Sequence, residues 1–147
     1  MKIKAALQFA APRDLVWQIL LDPENVVNCL RGATVTPSTN NTFTIDIGLP
    51  NMPFLPKFSG CLKTRNKKRP ESYTLDLMTK GYGSTVTGKS EVTLIEGTTH
   101  TTVSIAGDVE IKGSLGNFNE RLIAGAIEKH MVDFLECMRV RSIPVQQ

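Results

Sequence analysis

Apolar and polar residues are spaced along this chain in two alternating rhythms, one of strands and one of helices. Lys2 to Phe9 alternates, with Ile3, Ala5, Leu7 and Phe9 on one face, which predicts a half-buried strand. Pro12 then stands where a helix accepts proline in its first turn, and Leu15, Val16, Ile19 and Leu20 form an i, i+3, i+4 stripe beside Trp17 and Leu21. Asp22-Pro23 ends that helix and supplies an N-cap and a first-turn proline for a second, through Val26, Val27 and Leu30 to Gly32. From there to residue 112 the period is two. Strands are predicted over Ala33–Thr39, Thr42–Leu49, Lys57–Arg65, Ser72–Thr79, Thr85–Ile95 and Thr99–Ile111. Their turns fall at Asn40-Asn41, at Asn66-Lys67-Lys68-Arg69-Pro70, at Gly81-Tyr82-Gly83 and at Glu96-Gly97. The last element is a helix from Gly113 to about Arg139. Its broad apolar face runs from Leu115 and Phe118 through Leu122, Ile123, Ala126 and Ile127 to Met131, Phe134, Leu135 and Met138.

The order is strand, two short helices, six strands, one long helix. Short turns between consecutive strands demand antiparallel pairing, and a curved antiparallel sheet of about seven strands closing on the long helix is the economical packing. The class is α+β. At 147 residues, without repeats or linkers, the chain reads as one domain, 1–147, able to bury a core without metals or bridges. At the middle of the long helix, Ala124-Gly125-Ala126 permits either close packing on the sheet or a space between helix and sheet.

Charge and cysteine count narrow the function classes. Six basic residues and no acid lie between Lys57 and Arg69, so the net charge of +3 comes from one local patch on an otherwise acidic chain. No aromatic residues interleave with that patch, which argues against nucleic acid. Cys29, Cys61 and Cys137 are odd in number and far apart, and are expected to be reduced and mostly buried. With only His100 and His130 beside them, no zinc or other cofactor is expected. The chain lacks an 18-residue apolar run and a signal-peptide core, so a cytoplasmic protein is expected, with peripheral membrane contact as a further option.

Several strings, in order, resemble the Bet v 1-like or START-like (SRPBCC) superfamily, whose helix-grip fold wraps a curved sheet around a long C-terminal helix. Within it the likeness is to the CoxG family of carbon monoxide dehydrogenase subunits. Ala11-Pro12-Arg13-Asp14-Leu15-Val16-Trp17 and Leu20-Leu21-Asp22-Pro23-Glu24 look like that family's opening helix pair. Cys29-Leu30-Arg31-Gly32 matches its next turn, with Arg31 where proline is usual. Phe58-Ser59-Gly60, Gly113-Ser114-Leu115 and Arg121-Leu122-Ile123-Ala124-Gly125-Ala126 follow its later strand and helix. The resemblance implies an apolar cavity for a lipophilic ligand, quinone handling, and service to a molybdenum-containing carbon monoxide dehydrogenase. Two departures stand out. The chain stops at Pro144-Val145-Gln146-Gln147 where relatives often carry a membrane-associating tail, so attachment by a tail is not expected. A proline-rich apolar loop, Leu49–Pro56, replaces a short glycine turn.

On these grounds Phe43, Tyr73, Leu75, Leu77, Phe118, Leu122 and Ala126 are expected to line the cavity, with Leu55 and its loop at the entrance. His130, inside the apolar arc, is either a hydrogen-bonded core residue or the polar contact of a carbonyl or quinone oxygen. Met52, Phe54, Lys67, Lys68 and Arg69 are the expected docking residues toward a membrane surface or a redox-enzyme subunit. No nucleophile with a base, paired carboxylates, nucleophile elbow or phosphate loop is present, and no catalytic residue can be named. The leading expectation is therefore a non-catalytic carrier of a quinone or lipid. The alternatives are a small cyclase- or dehydratase-like enzyme using His130 or a tyrosine, and a module that docks on an enzyme through its basic hairpin.

Overall fold

The computed structural model describes residues 1–30, 33–39, 41–47, 58–81, 83–114 and 119–143. Strand β1 (Lys2–Phe9) is followed by helices α1 (Arg13–Leu21) and α2 (Pro23–Cys29). Strands β2 (Ala33–Pro37), β3 (Thr42–Ile47), β4 (Phe58–Lys68), β5 (Ser72–Gly81), β6 (Ser84–Glu96) and β7 (Thr101–Gly113) come next, and helix α3 (Glu120–Arg141) is last. All neighbours pair antiparallel in one sheet of order β1-β7-β6-β5-β4-β3-β2. Strands β2 to β7 form a meander, and β1 joins its far edge, so α1 and α2 carry the chain from one edge of the sheet to the other. This is the α+β architecture expected from the periodicity, and the helix-grip order that the family resemblance implies.

Local chemistry explains the element ends. The Asp22 carboxylate accepts from Glu24 N at 3.0 Å with Pro23 behind it, and Asn119 Oδ1 accepts from Arg121 N at 2.9 Å. That Asn119 cap starts α3 seven residues later than the apolar pattern predicts, and Leu115 and Phe118 lie outside the described residues. Strand β4 runs three residues past its predicted end. A register shift between Arg65 and Lys68, with Asn66 at φ 52°, absorbs the irregularity and carries pairing to the basic tip. Curvature is built in at two glycines. A Cβ on Gly60 would stand 1.8 Å from Met78 O, and one on Gly107 2.3 Å from Lys89 O, so neighbouring backbones there approach as only glycine allows.

The concave face carries the core: Phe9, Leu94 and Val103 from the sheet, Val16 and Leu20 from α1, Leu135 and Met138 from α3. The convex face carries a row of alternating charge. Lys63, Asp76, Lys89, Asp108 and Lys2 are successive cross-strand partners from β4 to β1, and Arg65 also pairs with Asp76.

The cysteines correct the expectation from sequence. Cys29 and Cys137 form a disulfide with Cα atoms 5.5 Å apart across 108 residues, and only Cys61 is free. The last turn of α2 meets the last turns of α3, a proximity that spacing along the chain does not encode. Beside the bridge, Arg141 Nη1 donates to Asn25 Oδ1 at 2.9 Å, so α2 and α3 are tied twice.

Cys137→Ala, or reduction with dithiothreitol, is expected to lower the unfolding free energy by about 2–5 kcal/mol, as for loss of other long-loop bridges; coincident urea melts with and without reductant would exclude the bridge. Asp76→Asn removes the anion that pairs with Arg65 and lies between Lys63 and Lys89 across the strands, and is expected to cost about 0.5–1 kcal/mol at low salt. In 1 M salt, where screening is nearly complete, the variant and the parent should melt together.

Candidate functional site

Seven strands are wider than one helix, and between α3 and the concave face lies a cavity of about 220 Å³. The sheet supplies its floor: inward positions of β3 (Phe43, Ile45), β4 (Phe58, Leu62, Thr64), β5 (Tyr73, Leu75, Leu77, Thr79) and β6 (Val86, Gly88, Ser90). Val26 and Leu30 close the α2 side, and Ile123, Ile127, His130, Met131 and Phe134 form the α3 wall. Among the described residues no Asp, Glu, Lys or Arg lines it.

Few polar groups reach this space. Tyr73 is buried, its ring meets Trp17 edge-on with centroids 5.5 Å apart, and burial pushes its phenol above the ordinary range. It therefore stays a neutral hydroxyl through the physiological range. Thr79 Oγ1 donates to Val86 O at 3.4 Å. His130 differs: its Nε2 is buried with no hydrogen-bond partner, the one such side-chain atom among the described residues. An unpaired buried group costs about 1–3 kcal/mol, so this nitrogen is the polar atom of the wall most in need of a partner.

A second, larger depression of about 490 Å³ shares Gly88, Val109 and Ile123 with the cavity. It opens where β1 stops short. Pairing of β1 with β7 begins at Lys2 and Asp108, with Met1 O accepting from Val109 N at 2.8 Å, and β7 runs on to Gly113. Lys89, Asp108, Glu110 and Glu120 surround this depression. An apolar inner chamber thus meets a charged outer one at the N-terminal turn of α3.

Of the residues singled out from sequence, the structure brings Phe43, Tyr73, Leu75, Leu77 and His130 together around the cavity. Two placements are corrected. Leu122 is exposed on the outer side of α3, and Ala126 is half-buried without lining the space. The helix is turned so that Ile123, Ile127, Met131 and Phe134 face inward. Gly125 also looks outward, where a Cβ would meet nothing within 4 Å, so this glycine neither creates the cavity nor packs on the sheet. Leu55, Phe118, Met52, Phe54 and the Leu49–Pro56 loop lie outside the described residues. Lys67, Lys68 and Arg69 stand exposed at the β4–β5 tip, remote in sequence and strand register from the depression, with Lys67 Nζ donating to Asn41 Oδ1. Thr64 and Ser90 were missed, although they share the strand parity of the inward residues Leu62 and Val92.

Among the described residues, no group of three metal-ligating side chains occurs and no helix is long and apolar enough to cross a membrane. No curated protein matches the sequence. Solved structures share the fold at low identity. A conserved protein from Geobacillus kaustophilus superposes with a TM-score of 0.84 and 16% identity over 96% of this chain and 94% of its own. The Zhui aromatase/cyclase from Streptomyces sp. R1128 gives 0.74 and 11% over 97% and 93%. A START superfamily protein from Mycobacterium smegmatis gives 0.68 and 12% over 96% of each chain. The fold is therefore START-like, of the Bet v 1-like kind. The model of the carbon monoxide dehydrogenase CoxG family matches residues 6–142. With nearly its whole length matched, the chain belongs to the CoxG family of carbon monoxide dehydrogenase subunits.

Proposed function

We propose that the protein binds and carries a neutral lipophilic molecule, a quinone or a lipid, in the cavity between α3 and the sheet, without transforming it. The observation that carries this reading is the unpartnered Nε2 of His130 in an otherwise apolar wall. An imidazole nitrogen can donate to a carbonyl oxygen or accept from a hydroxyl, depending on its tautomer. A chamber of this volume has room for about seven waters at ~30 Å³ each. That suits one substituted ring or a short chain segment, with the remainder of a longer ligand leaving through the depression beside Met1 and Glu120. The absence of a charged side chain among the described lining residues favours carriage over acid–base catalysis. Service to a carbon monoxide dehydrogenase-type redox enzyme is the finer part of the proposal. The family supports it, and the exposed Lys67-Lys68-Arg69 tip is its docking candidate. Unaltered capture of such an enzyme after charge reversal at all three positions would remove the tip from that role.

The first test is gentle native mass spectrometry of the purified chain, then extraction and identification of any released molecule. The sole tryptophan, Trp17, meets Tyr73 of the cavity floor and provides a fluorescence readout. Titration with a short-chain benzoquinone or naphthoquinone is expected to quench it saturably. His130→Ala should weaken binding roughly tenfold, the loss of one buried hydrogen bond. Gly88→Met should abolish it in a folded protein, because a Cβ there meets Val109 Cγ2 at 3.5 Å and the rest of the side chain enters the cavity. Saturable binding unchanged in both variants would place the ligand elsewhere. Turnover of a polyketide-like substrate that His130→Ala abolishes would replace carriage by cyclase-type chemistry.

A further inference from the structure

The outer face of α3 carries a second pattern that the cavity does not use. Leu122, Gly125, Lys129, Val132, Glu136, Val140 and, just past the Ser142 cap, Ile143 follow one another at steps of three or four residues. That is the 3.5-residue period of a helix–helix seam. Its four large apolar members are 66% (Leu122), 43% (Val132), 60% (Val140) and 53% (Ile143) exposed, most of the exposed large hydrophobics among the described residues. Gly125 leaves the helix backbone bare at this face, with nothing within 4 Å of the position a Cβ would take. Glycine inside a helix is destabilising relative to alanine, so its presence on an exposed stripe asks for a reason.

The stripe is complementary to itself when reversed. About a point between Val132 and Asp133, Leu122 and Ile143 are equidistant, as are Gly125 and Val140, and Lys129 and Glu136. We propose that α3 pairs antiparallel with α3 of a second copy of this chain, across a two-fold axis between Val132 and Asp133. Leu122 then packs on the partner's Ile143, and Val140 packs into the gap left by the partner's Gly125. Lys129 faces the partner's Glu136 on both sides of the axis. Such an isologous contact uses each pair twice. The charges select this register over its neighbours, as polar residues do in helical seams. Within one chain Lys129 contacts Asp133 at 3.3 Å and Glu136 contacts Arg139 at 2.9 Å along the same helix. Both are exposed pairs, which rearrange at little cost. The seam is one helix wide, smaller than the roughly 1,600 Å² of a standard stable interface, so the dimer is expected to be concentration-dependent. This inference does not rest on the carrier reading, since the opposite face of α3 forms the cavity wall.

Sedimentation of the full chain from about 1 µM to about 1 mM, spanning the affinity range of weak complexes, is expected to show a monomer–dimer equilibrium. K129E and E136K each place like charges together twice and should each weaken the dimer more than about tenfold. An equimolar mixture of the two variants restores both ion pairs, and should dimerise as heterodimers visible by native mass spectrometry. Val132→Glu, which sets two carboxylates at the axis, should abolish association while circular dichroism stays unchanged. A parent chain that remains monomeric throughout overturns the proposal; flotation with anionic vesicles would then show whether a lipid surface covers the stripe instead. A dimer indifferent to K129E, E136K and Val132→Glu overturns it as well.

Discussion

One helix has to close a sheet much wider than itself, and most of the structure follows from that mismatch. Seven strands at about 4.8 Å spacing span roughly 29 Å, whereas a helix with its side chains is about 10–12 Å across. Helix α3 resolves this by lying against the β1 edge, where Glu128 Oε2 accepts from the free N–H of Lys4 at 3.0 Å. It reaches the opposite edge only through α2, to which the Cys29–Cys137 bridge and the Arg141–Asn25 hydrogen bond hold it. The sheet curls at Gly60 and Gly107 to meet it, and the space that remains is the cavity. The cavity is thus a consequence of how the layers fit, and Gly125 of the helix has no part in it.

The lining of the chamber is held from both sides. Tyr73 is packed on Trp17, and Phe43 and Ile45 are buried on β3, while the Cys29–Cys137 bridge ties together the two helices that flank the space.

The sequence made the fold legible because nearly every element has an unbroken period and a recognisable stop. Asp22-Pro23, Asn41 and Glu96-Gly97 mark boundaries by side-chain chemistry local to each site. The inward parity of Phe43, Tyr73, Leu75 and Leu77 was readable for the same reason: strand alternation leaves two choices of face, and the apolar one is buried. The rotation of α3 was harder. A helix with apolar residues around most of its circumference has no single best phase. Leu122 and Ile123 are neighbours of equal hydrophobicity, and only the tertiary position of β1 decides that Ile123 turns inward. The pairing of Cys29 with Cys137 was illegible because it depends on where two helix ends meet. The helix start was missed because the helical spacing of apolar residues continues across Asn119, a good cap, from Leu115 and Phe118 to Leu122 and Ile123.

The distribution of charge limits what can occupy the site. The described chamber wall offers an imidazole, a phenol and a few hydroxyls, and no ionised side chain to balance an ionised ligand. Burying an unpaired carboxylate or ammonium there would cost several kcal/mol, more than one hydrogen bond to His130 returns. Charged groups are nonetheless close by, at Lys89, Asp108, Glu110 and Glu120 around the outer depression. Polarity therefore rises along one line, from the apolar floor at Leu75 and Leu77, past Gly88, Val109 and Ile123, to the first turn of α3.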